Sequence, residues 1–128
     1  MQGARRNPLT FAEELHISRD MEKSDVIAGL AALAQETRLD IMRFLVRKGA
    51  AGAPAGRIGE QFGLPSATLA FHLNSLTAAK LLTRERAGRQ SIYRADFGAV
   101  YALTSFLLQN CCSETEAETA EAGQDDAA

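Results

Sequence analysis

Apolar positions set the first outline of the chain. From residue 24 onward Ile27, Leu30, Ala31 and Ala34 recur at i, i+3, i+4 and i+7, the spacing of one face of an amphipathic helix. Ser24 offers that helix an N-cap. A second helix opens at Glu36 and Thr37, with Leu39, Met42, Leu45 and Val46 as its stripe and Arg38, Arg43, Arg47 and Lys48 outside it; Gly49 ends it. Residues 49 to 56 are small and flexible, which predicts a loop. A short helix follows over 55 to 62, carrying Ile58 and Phe62 four apart. Gly63, Leu64 and Pro65 form a turn, and a longer helix over 66 to 79 carries Leu69, Leu73 and Leu76 at i, i+4 and i+7. A short helix, a tight turn and a longer helix make a helix-turn-helix pattern.

Residues 81 to 87 and 90 to 95 contain strand formers such as Leu82, Thr83, Ile92 and Tyr93, separated by the turn signal of Ala87, Gly88 and Arg89. A two-stranded wing is the expected result. Residues 97 to 112 then place Val100, Leu103, Thr104 and Leu107 on one helical face, with Tyr101 and Leu108 beside it. So apolar a helix calls for a partner surface. Residues 113 to 128 are acidic, alanine-rich and without periodicity, which predicts a disordered tail. The expected fold is mainly α with a two-stranded β wing, a winged helix-turn-helix occupying residues 23 to 112, preceded by an arm over 1 to 22 whose fold is left open.

A chain of 128 residues leaves room for one core. Its 46% hydrophobic and 23% charged composition is that of a globular domain. The formal net charge of −2 argues against nucleic acid only until its distribution is considered. Six of the sixteen acids and none of the fourteen bases fall in residues 113 to 128, so the body is basic. Between Arg57 and Arg94 the bases Arg57, Lys80, Arg84, Arg86, Arg89 and Arg94 face only Glu60 and Glu85. Such a stripe suits phosphate neutralisation, although a solvated hairpin with ordinary surface arginines carries the same residues. Arg5 and Arg6 are followed by a stretch broken by Glu13, Glu14 and His16, not by an apolar signal core, and no apolar run approaches the roughly 20 residues of a membrane span. A cytoplasmic protein without membrane association is expected. Neither of the two histidines stands near a Ser or Cys in a catalytic motif, and there is no Cys-x-x-Cys, so enzyme chemistry is not expected.

The segment SATLAFHLNSLTAAKLL, residues 66 to 82, resembles the recognition-helix signature of the ArsR/SmtB family of winged-helix repressors. LAQETRLDIMRFL, residues 33 to 45, is similar to that family's second helix, and IYR, 92 to 94, to the end of its wing. Lys80 departs from the family's usual Gly, and Pro65 from a usual Ser or Thr cap. The resemblance implies a homodimer joined through the first and last helices, with double-stranded operator DNA as partner. It would set two copies of the 66 to 79 helix about 34 Å apart over an inverted repeat. Ser66, Thr68, Phe71, His72 and Asn74 are the candidate contacts on that helix, and Arg84, Arg86, Arg89 and Gln90 those on the wing. Phe71 either touches thymine methyl groups or packs into the core. His72 has a structural or DNA-side role. A winged-helix protein-interaction module is the alternative class.

No cofactor is implied, but an inducer is. The resemblance implies an inducer site at a cysteine pair before or within the helix-turn-helix, or at His and carboxylates on the last helix; residues 53 to 62 contain no Cys and 97 to 110 neither His nor carboxylates, which leaves the adjacent pair Cys111 and Cys112. Neighbouring cysteines make a poor structural crosslink. They look like those of the family's arsenical-sensing variants, and a soft trivalent arsenic or antimony centre prefers thiolates. A regular helix splays neighbours by about 100°, so chelation calls for an unwound helix end. Inorganic arsenite usually takes three thiolates and this chain has two, which favours an organoarsenical such as methylarsenite over arsenite or antimonite. Alternatives are a thiol redox or persulfide sensor, and a small buried hydrophobe beside a chance neighbour.

Overall fold

The computed structural model describes residues 21–115; the expected arm up to residue 20 and the tail from residue 116 lie outside the described residues. Helix α1 spans Lys23–Leu33. Its N-cap is Glu22, not Ser24, because the Asp25 carboxylate reaches back to accept from the Glu22 backbone N–H at 3.3 Å. Helix α2 spans Glu36–Lys48, capped by the Gln35 side chain, which accepts from the Arg38 backbone N–H at 2.8 Å. The Gly49 N–H, bonded to the Leu45 and Val46 carbonyls, closes it. The expected loop over 49 to 56 is more ordered than its composition suggests. It forms a 3-10 turn at Gly49–Ala51, then strand β1 at Ala53–Pro54, and helix α3 starts at Ala55.

Helix α3 spans Ala55–Phe62 and α4 Ser66–Ala78, joined by the turn through Gly63 to Pro65. Lys80 then adopts a φ of +66°, the left-handed backbone that makes glycine the easier residue there. Strands β2, Leu82–Ala87, and β3, Gln90–Ala95, form the antiparallel wing in the register Arg84↔Tyr93 and Ala87↔Gln90. β1 adds to the far edge of β3, with Ala53↔Tyr93 and Pro54↔Ile92, so the sheet order is β1-β3-β2. Helix α5 spans Phe97–Leu108, its Asp96 side chain accepting from the Ala99 N–H at 3.1 Å. It ends four residues short of the expected 112.

Ile41, Leu45, Ile58, Leu73, Leu76 and Leu81 are the fully buried centre of the core. Phe44 and Phe62 meet edge to face with ring centres 5.6 Å apart, locking α2 against α3. Two expected stripes are corrected. In α1 the buried residues are Val26, Gly29 and Ala32, while Ile27 is 59% exposed and Leu30, Ala31 and Ala34 also face outward. In α2 the buried set is Ile41, Met42, Phe44 and Leu45, and Leu39 and Val46 are exposed. The reason in α1 is close approach: a Cβ at Gly29 would stand 2.9 Å from Leu103 Cδ1, so a small residue there lets α1 lie against α5. Leu103, expected on a partner-facing stripe, is buried by that contact, whereas Leu107 and Leu108 are exposed. Among the described residues no helix is long and apolar enough to cross a membrane.

Candidate DNA interface and thiol site

The helix-turn-helix and the wing carry the candidate contact residues. α4 is amphipathic in size more than in charge: Leu69, His72, Leu73 and Leu76 turn inward, and Ser66, Thr68, Phe71 and Asn74 are exposed. Phe71 is 63% exposed and takes no part in the core. His72, placed by the sequence among the DNA contacts, is only 8% exposed and lies beneath that face. Its Nδ1 is 3.2 Å from a terminal nitrogen of Arg38. Arginine has only donors, so Nδ1 accepts and the neutral ring carries its proton on Nε2.

Arg38 is one of the four bases that the sequence pattern places outside its helix, with Arg43, Arg47 and Lys48. It is half-buried, donates from Nε to the Ala32 carbonyl at 2.7 Å, and places its guanidinium carbon 6.0 Å from the centre of the Phe71 ring. One side chain of α2 thereby ties the C-terminal end of α1 to the middle of α4. Its place in the first turn of α2 is itself a signal, since the helix dipole disfavours a cation there.

Burial, reinforced by the nearby Arg38 charge, holds the His72 imidazole below its ordinary value of 6.5. Protonation would remove the Nδ1 acceptor and set two cations together. As pH falls below 6.5 the unfolded chain takes up this proton before the folded chain does, so folding stability is expected to decline with acidification. A His72→Gln variant should lose that part of the slope in thermal midpoints measured across the interval. An unchanged slope would assign the effect to another group.

The wing arginines are not equivalent. Arg94 is held by Glu85 at 2.6 Å and by the Ala50 carbonyl at 2.8 Å, so it braces the sheet against the 3-10 turn. Arg57 pairs loosely with Glu60 at 3.9 Å across solvent. Arg84 donates to the Ser91 hydroxyl at 3.1 Å, and Arg86 reaches the Gly88 carbonyl at 3.4 Å. These two with Arg89 and Gln90 are exposed along the hairpin. A groove of about 520 Å³ separates the wing tip, Arg89 to Ser91, from α3 at Arg57 and Glu60.

Cys111 and Cys112 lie three and four residues beyond the end of α5 and are exposed. Asn110 and Cys112 have φ of +62° and +61°, so the chain there is a run of turns, not a helix. That geometry brings the two sulfurs to 3.5 Å. Among the described residues no three His, Cys, Asp or Glu side chains gather as a metal site.

Residues 33–85 match the family model described as a helix-turn-helix domain. The chain is similar to the solved structure of an ArsR-like transcriptional regulator from Rhodococcus sp. RHA1, with 27% identity over 79% of this chain and 92% of that one, at a TM-score of 0.61. It is similar to a homodimeric winged helix-turn-helix DNA-binding domain from Mycobacterium bovis, described as a possible ArsR-family regulator, at 21% identity over 84% of this chain and 91% of that one, TM-score 0.54. A possible transcriptional regulator for arsenical resistance matches at 22% identity over 73% of this chain and 94% of that one, TM-score 0.56. No curated protein matches the chain. The helix-turn-helix, the β2–β3 wing and these likenesses together give the chain a winged helix-turn-helix fold, similar to that of ArsR-like transcriptional regulators.

Proposed function

We propose that the chain is a transcriptional regulator of the ArsR family and a repressor, binding an inverted-repeat operator as a homodimer and leaving it when a trivalent arsenical is captured by Cys111 and Cys112. The observation that carries the inducer is the 3.5 Å separation of two exposed thiols. With bonds to sulfur of about 2.3 Å, the length of a zinc thiolate, one centre bridging them subtends about 100°, an angle suited to a pyramidal lone-pair ion. The chain holds two cysteines in all, so one protomer supplies two thiolates. That count suits an arsenical already carrying one carbon substituent. Arsenite or antimonite needs a third ligand from elsewhere.

Support for the dimer comes from exposed apolar side chains on the two terminal helices of the body, Ile27 and Leu30 on α1 and Leu107 and Leu108 on α5. Cys111 lies four residues beyond Leu107 and Cys112 five, so a ligand there acts next to the joint that spaces the two α4 helices. Coupling then follows from linkage: whatever binds the DNA-incompetent spacing more tightly lowers operator affinity. On the DNA side, Ser66, Thr68, Phe71 and Asn74 would enter the major groove, and Arg84, Arg86, Arg89 and Gln90 would meet the backbone.

Cys111→Ser and Cys112→Ser are expected to bind DNA from upstream of the protein's own gene as the parent does, and to stay bound when methylarsenite is added. Methylarsenite should release the parent at lower concentration than arsenite. Dissociation of the Ser variants by either compound moves the site elsewhere. An equal or better response to arsenite ends the preference for an organic arsenical, and release by peroxide alone replaces the arsenical with an oxidant.

A further inference from the structure

The outward face of α4 is unusual for a helix that enters a DNA groove. Ser66–Ala78 contains no charged residue, so the Arg or Lys fork that grips guanine O6 and N7, the commonest specific contact, is missing from the helix. The exposed stripe runs Ala67, Ala70, Phe71, Asn74 and Ala78, one helical face at i, i+3, i+4, i+7 and i+11. Phe71 stands at its centre with small residues on either side, so the ring projects beyond its neighbours and the backbone can come close to whatever the ring touches.

The ring is also held from behind. The buried His72 imidazole meets it edge to face at 5.6 Å, and the Arg38 guanidinium, anchored on Ala32 and His72, lies 6.0 Å from its centre. An exposed phenyl group gains nothing in the free protein, and its burial waits for a partner. Lys80, Arg84, Arg86 and Arg89 are exposed in the segment that follows α4, which makes this side of the molecule complementary to a polyanion. An apolar knob backed by positive charge fits the one apolar feature of the major groove, the C5-methyl of thymine.

We propose that Phe71 is the specificity-determining residue of the recognition helix and reads a thymine methyl group in each half-site. This rests on the DNA-binding reading above. It implies that the discriminating step of the operator contains an A·T pair, and that guanine contacts, where present, come from the wing.

The test replaces thymine by deoxyuridine, which removes the methyl and nothing else. Duplexes selected by the protein from a random pool are re-made with each thymine changed in turn, in both half-sites at once. The parent is expected to lose about fourfold in affinity per half-site at one position, the fold-change for one methyl buried, and to be indifferent at the others. Phe71→Ala should bind the thymine and deoxyuridine duplexes alike, and Phe71→Leu, which keeps an apolar tip, should retain part of the difference. Indifference of the parent to every replacement, or an undiminished penalty in Phe71→Ala, overturns the assignment while leaving DNA binding in place. Failure to retain any duplex at low salt overturns both readings, and capture of the Phe71 face by a protein partner would then be the occupant to establish.

Discussion

Gly52→Ala is expected to lower unfolding free energy by about 3 kcal/mol or more, against about 1–2 kcal/mol for Gly49→Ala. Gly49 opens the 3-10 turn, Gly52 follows it, and the two share one backbone region, Gly49 at φ 66°, ψ −144° and Gly52 at φ 62°, ψ −157°. That region is nearly closed to other residues, so each alanine bears the conformational cost. The surroundings differ. A Cβ at Gly49 has no atom within 4 Å, whereas one at Gly52 would stand 2.4 Å from the Tyr93 carbonyl oxygen and 2.6 Å from Arg94 Cγ. The Tyr93 backbone cannot give way, because β3 is paired on both edges at that residue. Relief would have to come from lifting β1 off the sheet. Thermal unfolding followed by circular dichroism should place Gly52→Ala at least 10 °C below the parent, at roughly 4–8 °C per kcal/mol for a domain of this size. Equal shifts in the two variants would mean that the wing is not anchored through this contact.

Arg38→Met is expected to cost about 2–4 kcal/mol in stability, because two buried acceptors, the Ala32 carbonyl and His72 Nδ1, lose their donor at about 1–3 kcal/mol each. Arg38→Lys should fall between the two, since one ammonium on a flexible stem cannot reproduce a fork that serves both partners. Operator affinity should drop several-fold in either variant under conditions where it is folded, because α4 loses its tie to α1. A double-mutant cycle with His72→Gln isolates the shared contact, and a coupling of about 0.5–3 kcal/mol is expected. Strict additivity would show that Arg38 and His72 act separately and would remove the tie. Met is chosen to keep the volume of the aliphatic stem, so that the cycle reports hydrogen bonds and not a cavity.

The helix-turn-helix was legible residue by residue because its signals are local. Gly63 and Pro65 punctuate, and Leu69, Leu73 and Leu76 repeat at helical spacing over a core that buries all three. The wing was legible for the same reason, with its strands and turn where Gly88 divides the alternating segments. α1 was not. Its core face is Val26, Gly29 and Ala32, which are small because α5 lies close, and the bulky Ile27 and Leu30 that dominate the pattern are exposed. Periodicity finds the large apolar side chains, and when a helix has two apolar faces it cannot tell the chain's own core from a surface kept for another. β1 escaped because two residues, one of them proline, carry no alternation; it exists by pairing with β3, forty residues on. Arg38 reads as an outer residue, and for His72 the sequence leaves a structural role and a DNA-side role open, of which burial favours the first. Each was assigned from its own helix, and their positions follow from a contact between helices.

Because α4 is uncharged and the exposed arginines Arg84, Arg86 and Arg89 sit on β2 and the turn that follows it, the proposed DNA binding would assign attraction to the polyanion and choice of sequence to different pieces of the chain. The wing's contribution would weaken as counterions compete, and the helix's contribution would not. Such a division would let a lineage of these proteins move to a new operator by altering one helix face without losing its hold on DNA, or adapt to a saltier cell by altering the hairpin without changing the genes it governs.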